Sequence, residues 1–222
     1  MMVSAGRGLS WLLAHGRGPR RATGGLVGLL TVAVLWLTLG VAAGPAGAAP
    51  TKKEPAYLSA LWTAVYETPA PQNPFGSGGP ESGCFHLGGT LAPLGPSGVP
   101  ACTVKSGTKI FMAASSFECS TFEQNGTTYQ QLLKCAVQAD VTTPPHVTID
   151  GRAVPLRSVV TGPIHATLPA DNVFGLPAGT SGLGAAHGWV ALLHPLPPGT
   201  HTIVGSGTAT FRTVVTVRRG KS

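Results

Sequence analysis

Glycine and proline recur along the whole chain, 31 and 20 of them among 222 residues, without any repeat in their spacing. Glycine opens backbone conformations closed to other residues, and proline removes a hydrogen-bond donor, so such a load breaks the chain into short elements joined by turns. Charged residues make up only 10% of the chain and apolar ones 43%, a balance that argues against disorder. The expectation is a mainly β domain: an immunoglobulin-like or jelly-roll-like β-sandwich with two short helices, preceded by an N-terminal apolar export helix.

The export helix is read from the first fifty residues. Arg7, Arg17, Arg20 and Arg21 precede an uncharged apolar run from Gly24 to Gly44, and Ala46 and Ala48 then form an A-x-A cleavage pattern. That order is a signal peptide or, if uncleaved, an N-terminal membrane anchor. Both place the rest of the chain outside the cytoplasm. The domain plan is therefore 1–48 signal peptide or anchor, 49–56 spacer and 57–222 a single exported β-rich domain.

Charge and cysteine usage agree with that address. The net charge of +7 includes the four leader arginines, and all eight acidic residues lie beyond them, which leaves about +3 on the exported part. Scattered basic residues at that level exclude a nucleic-acid footprint. Cys84, Cys102, Cys119 and Cys135 all lie in the exported part, an even count that reads as two disulfides in an oxidising compartment. Three connectivities are open; Cys84–Cys102 and Cys119–Cys135 are favoured because each closes a short loop, worth about 3 kcal/mol in the chain-entropy model.

Along the exported part, Leu58, Leu61, Trp62 and Val65 fall at i, i+3, i+4 and i+7, one stripe of a helix over Tyr57–Tyr66 in which Trp62 serves packing. Thr68–Pro100 is a long Gly/Pro/Ser-rich loop. Lys109–Ala114 reads as a buried strand and Thr128–Ala139 as a helix carrying Cys135. Asp150-Gly151 within "VTIDGRAV" is a hairpin turn that gives Asp150 a structural job. Further strands are expected at Arg157–Val160, Ile164–Leu168, Gly188–Leu193, Thr200–Val204 and Thr210–Val217.

"HGWVALLHPLPPGTHTIVGSG", His187–Gly207, reads as a hairpin whose turn holds Pro195, Pro197 and Pro198, with His194 and His201 able to approach across it. Two histidines without a carboxylate or thiolate make a poor metal site, and no metal or other cofactor is expected. Enzyme signatures are missing: no G-x-S-x-G elbow, no H-E-x-x-H, no P-loop. Glu118 and Glu123, flanking Cys119, read as solvated loop residues. Asp171 and Asn172, in an irregular segment between strands, are the better candidates for a polar ligand contact, together with His187 and His194.

The ordered motifs "LW" (Leu61-Trp62), "TPAPQNP" (Thr68–Pro74), "HLGGT" (His86–Thr90), "CTVKSGTKIFM" (Cys102–Met112), "VTIDGRAV" and "GWVALLHPLPPGTHTI" together resemble a group of exported bacterial proteins. The resemblance covers the exported domain and implies a fold and an address rather than a reaction. The chain departs from the group's pattern at Ser106, where proline is usual, at the inserted Thr108, at His187 in place of an acidic residue, and in an Asn-Pro loop lacking its aspartate.

The sequence therefore points to a non-enzymatic binding or structural module of the cell envelope or extracellular space, with no catalytic residue assigned. Its expected partner is an extracellular ligand or envelope component, not nucleic acid, and it meets membrane only through an uncleaved N-terminal segment. The alternative is an envelope-polymer hydrolase whose site the fold assembles from dispersed Asp and His residues.

Overall fold

The computed structural model describes residues 53–76, 79, 83–95, 101–140, 142–207 and 210–220. The export segment and the spacer up to residue 52 lie outside the described residues. Helix α1 spans Lys53–Glu67, so it starts inside the expected spacer. Pro55 in its first turn sacrifices no intrahelical bond, and Glu54 there complements the helix dipole. The predicted stripe is buried: Leu58, Leu61, Trp62 and Val65, joined by Tyr66.

The strands are β1 (Gly83–Leu87), β2 (Thr90–Leu94), β3 (Ala101–Lys105), β4 (Lys109–Ser120), β5 (His146–Ile149), β6 (Arg152–Ala153), β7 (Arg157–Val160), β8 (Ile164–Thr167), β9 (Ser181–Leu193), β10 (Gly199–Ser206) and β11 (Phe211–Arg218). Helix α2, Tyr129–Ala139, lies between β4 and β5 and starts on a capping box made by Thr128 and Gln131. One sheet runs β1-β2-β4-β9-β7 with β8 also on β9; the other runs β3-β11-β10-β5-β6. The described residues are mainly β with two α-helices, as expected. Two pairings, β2 with β4 and β3 with β11, are parallel.

Apolar side chains explain the layering. Helix α1 covers one face of the first sheet through a core that includes Leu61, Tyr66, Phe111 and Val190. The opposite face packs on the second sheet through Ile110, Met112, Ile203 and Val215. Further along that same face, α2 packs by Leu132 and Ala136 against Cys119 and Ala185. Both favoured disulfides are present. Cys84–Cys102 joins the outer strands β1 and β3 of the two sheets, and Cys119–Cys135 pins α2 to β4, with Cα separations of 5.7 and 6.0 Å.

Three readings of the strand order and loops need correction. Thr68–Pro100 is not one loop, because β1 and β2 form a hairpin inside it, turned by Gly88 and Gly89 at positive φ. The irregular segment ends at Thr180, and β9 begins seven residues before Gly188 as a run of small residues. Most consequentially, His187–Gly207 is not a hairpin. Strand β9 pairs with β4, β7 and β8, whereas β10 pairs with β5 and β11, so the proline-rich connection crosses between sheets. Prolines that cannot donate to a ladder suit a crossover as well as a turn, and periodicity alone does not distinguish them.

Candidate functional site

Strand β4 meets β9 in antiparallel register with a bulge between Ala113 and Ser115. Bulges re-aim side chains. Here Ala114 joins the inter-sheet core, and the next residue, Ser115, donates its hydroxyl to Asp140 Oδ1 at 2.5 Å. Asp140 is the C-cap of α2 and is buried. Its Oδ2 lies 2.7 Å from Nδ1 of His187, also buried. On the far side of the ring, His187 Nε2 lies 2.8 Å from Ser158 Oγ, and Ser158 is exposed. Four elements thus supply one hydrogen-bonded row, Ser115–Asp140–His187–Ser158.

Register explains why the last two meet. Ser158 pairs with Trp189 and Val160 with His187, so Ser158 and His187 are diagonal neighbours on one face of the sheet. Phe117 sits opposite His187 on the β4 side. Phe117 and Val160, 41% and 42% exposed, give the row an apolar flank. The tautomer follows from the partners. A carboxylate only accepts, so the Nδ1 proton points to Asp140, which leaves Nε2 to accept from the Ser158 hydroxyl. The arrangement is that of a nucleophile, a base and an orienting carboxylate.

The other sequence candidates are dispersed. Asp171 is exposed at φ 53°, with its carbonyl accepting from Ala70 N at 2.6 Å. Asn172 is buried and holds its own loop, donating to the carbonyls of Pro169 and Leu176 and accepting from the N–H groups of Phe174 and Leu176. His194 is exposed just after β9, about 23 Å along the strand from His187 at the usual rise. His201 does not face it. Its Nδ1 lies 2.7 Å from Asp150 Oδ2, and its Nε2 donates to the Pro197 carbonyl at 2.8 Å. With both nitrogens facing acceptors, His201 is pushed up and Asp150 down from their ordinary values. Asp150 itself sits at φ 49° in the expected turn.

Glu118 is no solvated loop residue. It lies near the end of β4, on the face covered by α1, and accepts a hydrogen bond from the Tyr66 hydroxyl. Burial, then the neighbouring Glu123 carboxylate, push Glu118 up to about 8 despite that bond. Glu123 and Tyr66 are raised as well, each chiefly by desolvation. Trp62 serves packing as expected, and its Nε1–H also donates to Ser116 at 2.9 Å. Beside it a cleft of about 220 Å³ is walled by Trp62, Phe75, Met112, Ser115 and Phe211, so Ser115 links the cleft to the row.

Among the described residues no group of three or more His, Cys, Asp or Glu could hold a metal ion. Sequence reasoning found His187 but missed Asp140, Ser158 and Ser115. No local motif joins them; only the β7–β9 register and the end of α2 do. Protein-family models, curated proteins and solved structures give no match to this chain.

Proposed function

We propose that this is an extracytoplasmic hydrolase of the cell envelope or extracellular space, with Ser158 as its nucleophile. The two disulfides are compatible with an oxidising address. The face-to-face sheets support an immunoglobulin-like or jelly-roll-like sandwich as the frame, with the parallel pairs as its departures. The observation that carries the reading is the row from buried Asp140 through His187 to the exposed Ser158 hydroxyl.

The chemistry is acyl transfer to water. Ser158 Oγ attacks an acyl carbonyl carbon as its proton passes to His187 Nε2, and the new C–O bond gives a tetrahedral oxyanion. Collapse breaks the bond to the leaving oxygen or nitrogen, which takes the proton from Nε2. Water then repeats the sequence on acyl-Ser158, releasing the acid and restoring the serine. Asp140 touches no reacting atom and is a positioning residue: it holds the tautomer and stabilises the imidazolium. Ser115 in turn orients Asp140.

The competing reading is a non-enzymatic binding or structural module. It draws on the same burial, because the row also ties α2, β4, β7 and β9 together. The deciding experiment treats the oxidised full-length chain with an alkyl fluorophosphonate and maps the adduct by mass spectrometry. A single adduct on Ser158, absent from S158A and from heat-unfolded protein, is the expected result. Labelling of folded protein no faster than that of unfolded protein refutes the hydrolase reading and leaves the module.

A further inference from the structure

The outer edge of β7 adds a second layer to the site, and its reading rests on the hydrolase assignment. Antiparallel pairs alternate between those that exchange backbone hydrogen bonds and those that do not. The bond from Thr161 N to Ala186 O at 2.9 Å, one step beyond the Val160–His187 pair, fixes the phase of that alternation. Arg157–Val190 and Val159–Gly188 are therefore the hydrogen-bonded pairs. Ser158–Trp189 and Val160–His187 are the others, so the N–H and C=O groups of Ser158 and Val160 point away from β9. Strand β7 ends the sheet, and among the described residues no strand lies on that side.

We infer that this edge binds an extended peptide as an added strand and that the substrate's scissile carbonyl sits on the Ser158 N–H. An open edge with donors and acceptors at two-residue spacing is complementary to an extended backbone. The nucleophile's own residue makes the match specific. A carbonyl oxygen held by the Ser158 N–H brings its carbon beside Ser158 Oγ, and the same N–H faces the oxyanion as it forms. Val160, the next residue on the same face and exposed, offers apolar contact to a neighbouring substrate side chain. The edge is short, bounded by Pro155 and by Gly162-Pro163, so only a few substrate residues pair with it.

The test compares two probes of one reactive group on the oxidised full-length chain, valine diphenyl phosphonate and its acetyl-Ala-Ala-Val counterpart. The peptide form should modify Ser158 roughly tenfold faster, the gain expected from two backbone hydrogen bonds. Val160→Pro removes an outward N–H at a position where an edge strand tolerates proline, and should bring the rate ratio down towards one. If that variant does not fold, N-methylation of the peptide backbone should abolish the acceleration on the wild-type chain. A ratio of one on wild type, with alkyl fluorophosphonate labelling intact, overturns the peptide edge and leaves the hydrolase. No labelling by any of the three reagents overturns both. A ratio of one together with a dimer in sedimentation that V160P disperses assigns the edge to a second copy instead.

Discussion

Removing the Cys119–Cys135 disulfide separates the stability of the domain from the geometry of its site. The bond closes a loop with a sequence separation of 16 and pins α2, whose C-cap is Asp140. In the chain-entropy model its loss costs about 3 kcal/mol. The Cys84–Cys102 bond has a separation of 18 and costs about the same, again near 3 kcal/mol, yet it joins β1 to β3 far from the row. Replacing each pair by alanine should therefore lower the urea-unfolding free energy by similar amounts. Only the first should slow alkyl fluorophosphonate labelling of Ser158 under conditions where both variants are folded. The reason is geometric. Helix α2 is otherwise held by a small core around Leu132 and Ala136, so freeing it loosens Asp140 and with it the orientation of His187. Equal slowing by both variants would refute the view that α2 positions the carboxylate. An unfolding loss well under 1 kcal/mol for either would refute the entropic estimate itself.

Glu118→Gln tests the half-buried carboxylate under α1. Folded Glu118 titrates near 8 instead of its ordinary 4.5, so across that window it holds a proton the unfolded chain has released, and wild-type stability falls as pH rises. The glutamine variant should match wild type at pH 4 and exceed its Tm at pH 9 by several degrees; a gap independent of pH contradicts the assignment. Asp150→Asn keeps a residue that tolerates the left-handed turn but removes the charge beside His201. The raised His201 contributes below its unfolded value and loses that contribution as pH rises through its folded one; the lowered Asp150 contributes above its unfolded value and loses it as pH falls. The variant's deficit should peak between about pH 4 and 6.5 and, because solvent screens this half-exposed carboxylate, stay on the order of 0.5 kcal/mol by urea titration. Gly184→Ala should cost about 1–3 kcal/mol in the same titration, because its Cβ would lie 2.4 Å from the Tyr66 hydroxyl; a neutral outcome would mean that Tyr66 moves freely.

Local chemistry made much of the frame legible. The i, i+3, i+4, i+7 stripe of α1, the Asp150-Gly151 turn and strand β7 all follow from residues adjacent in sequence, and the structure has them where periodicity puts them. What stayed hidden depends on which strand neighbours which. The run "SGLGAA" before His187 is small and glycine-rich, so it carries no strand signal. Yet smallness is what lets it pass beneath Tyr66 and Phe122, which lie where side chains on Gly184 and Gly182 would be. For the same reason β9 and β10 looked like a hairpin: strand–proline turn–strand and strand–proline crossover–strand are the same string.

The row at Ser158 sits on the far side of that limit. Asp140 looks like an ordinary helix terminator, Ser158 an ordinary outward position on a short strand, and His187 a residue before a tryptophan. Each of those local roles is real, since Asp140 does cap α2 and Ser158 does belong to an edge. The row forms only because β9 is long enough to carry His187 past the end of α2 on one side and alongside β7 on the other. Shifting the β7–β9 register by a single residue would turn Ser158 to the α1 face and break the row, whereas the burial of Val159 on that face holds the register in place. The core side chain next to Ser158 therefore does as much to set its hydroxyl against His187 as the polar residues that touch it. Hydrophobic packing sets the phase, and the phase decides whether an exposed serine meets a histidine.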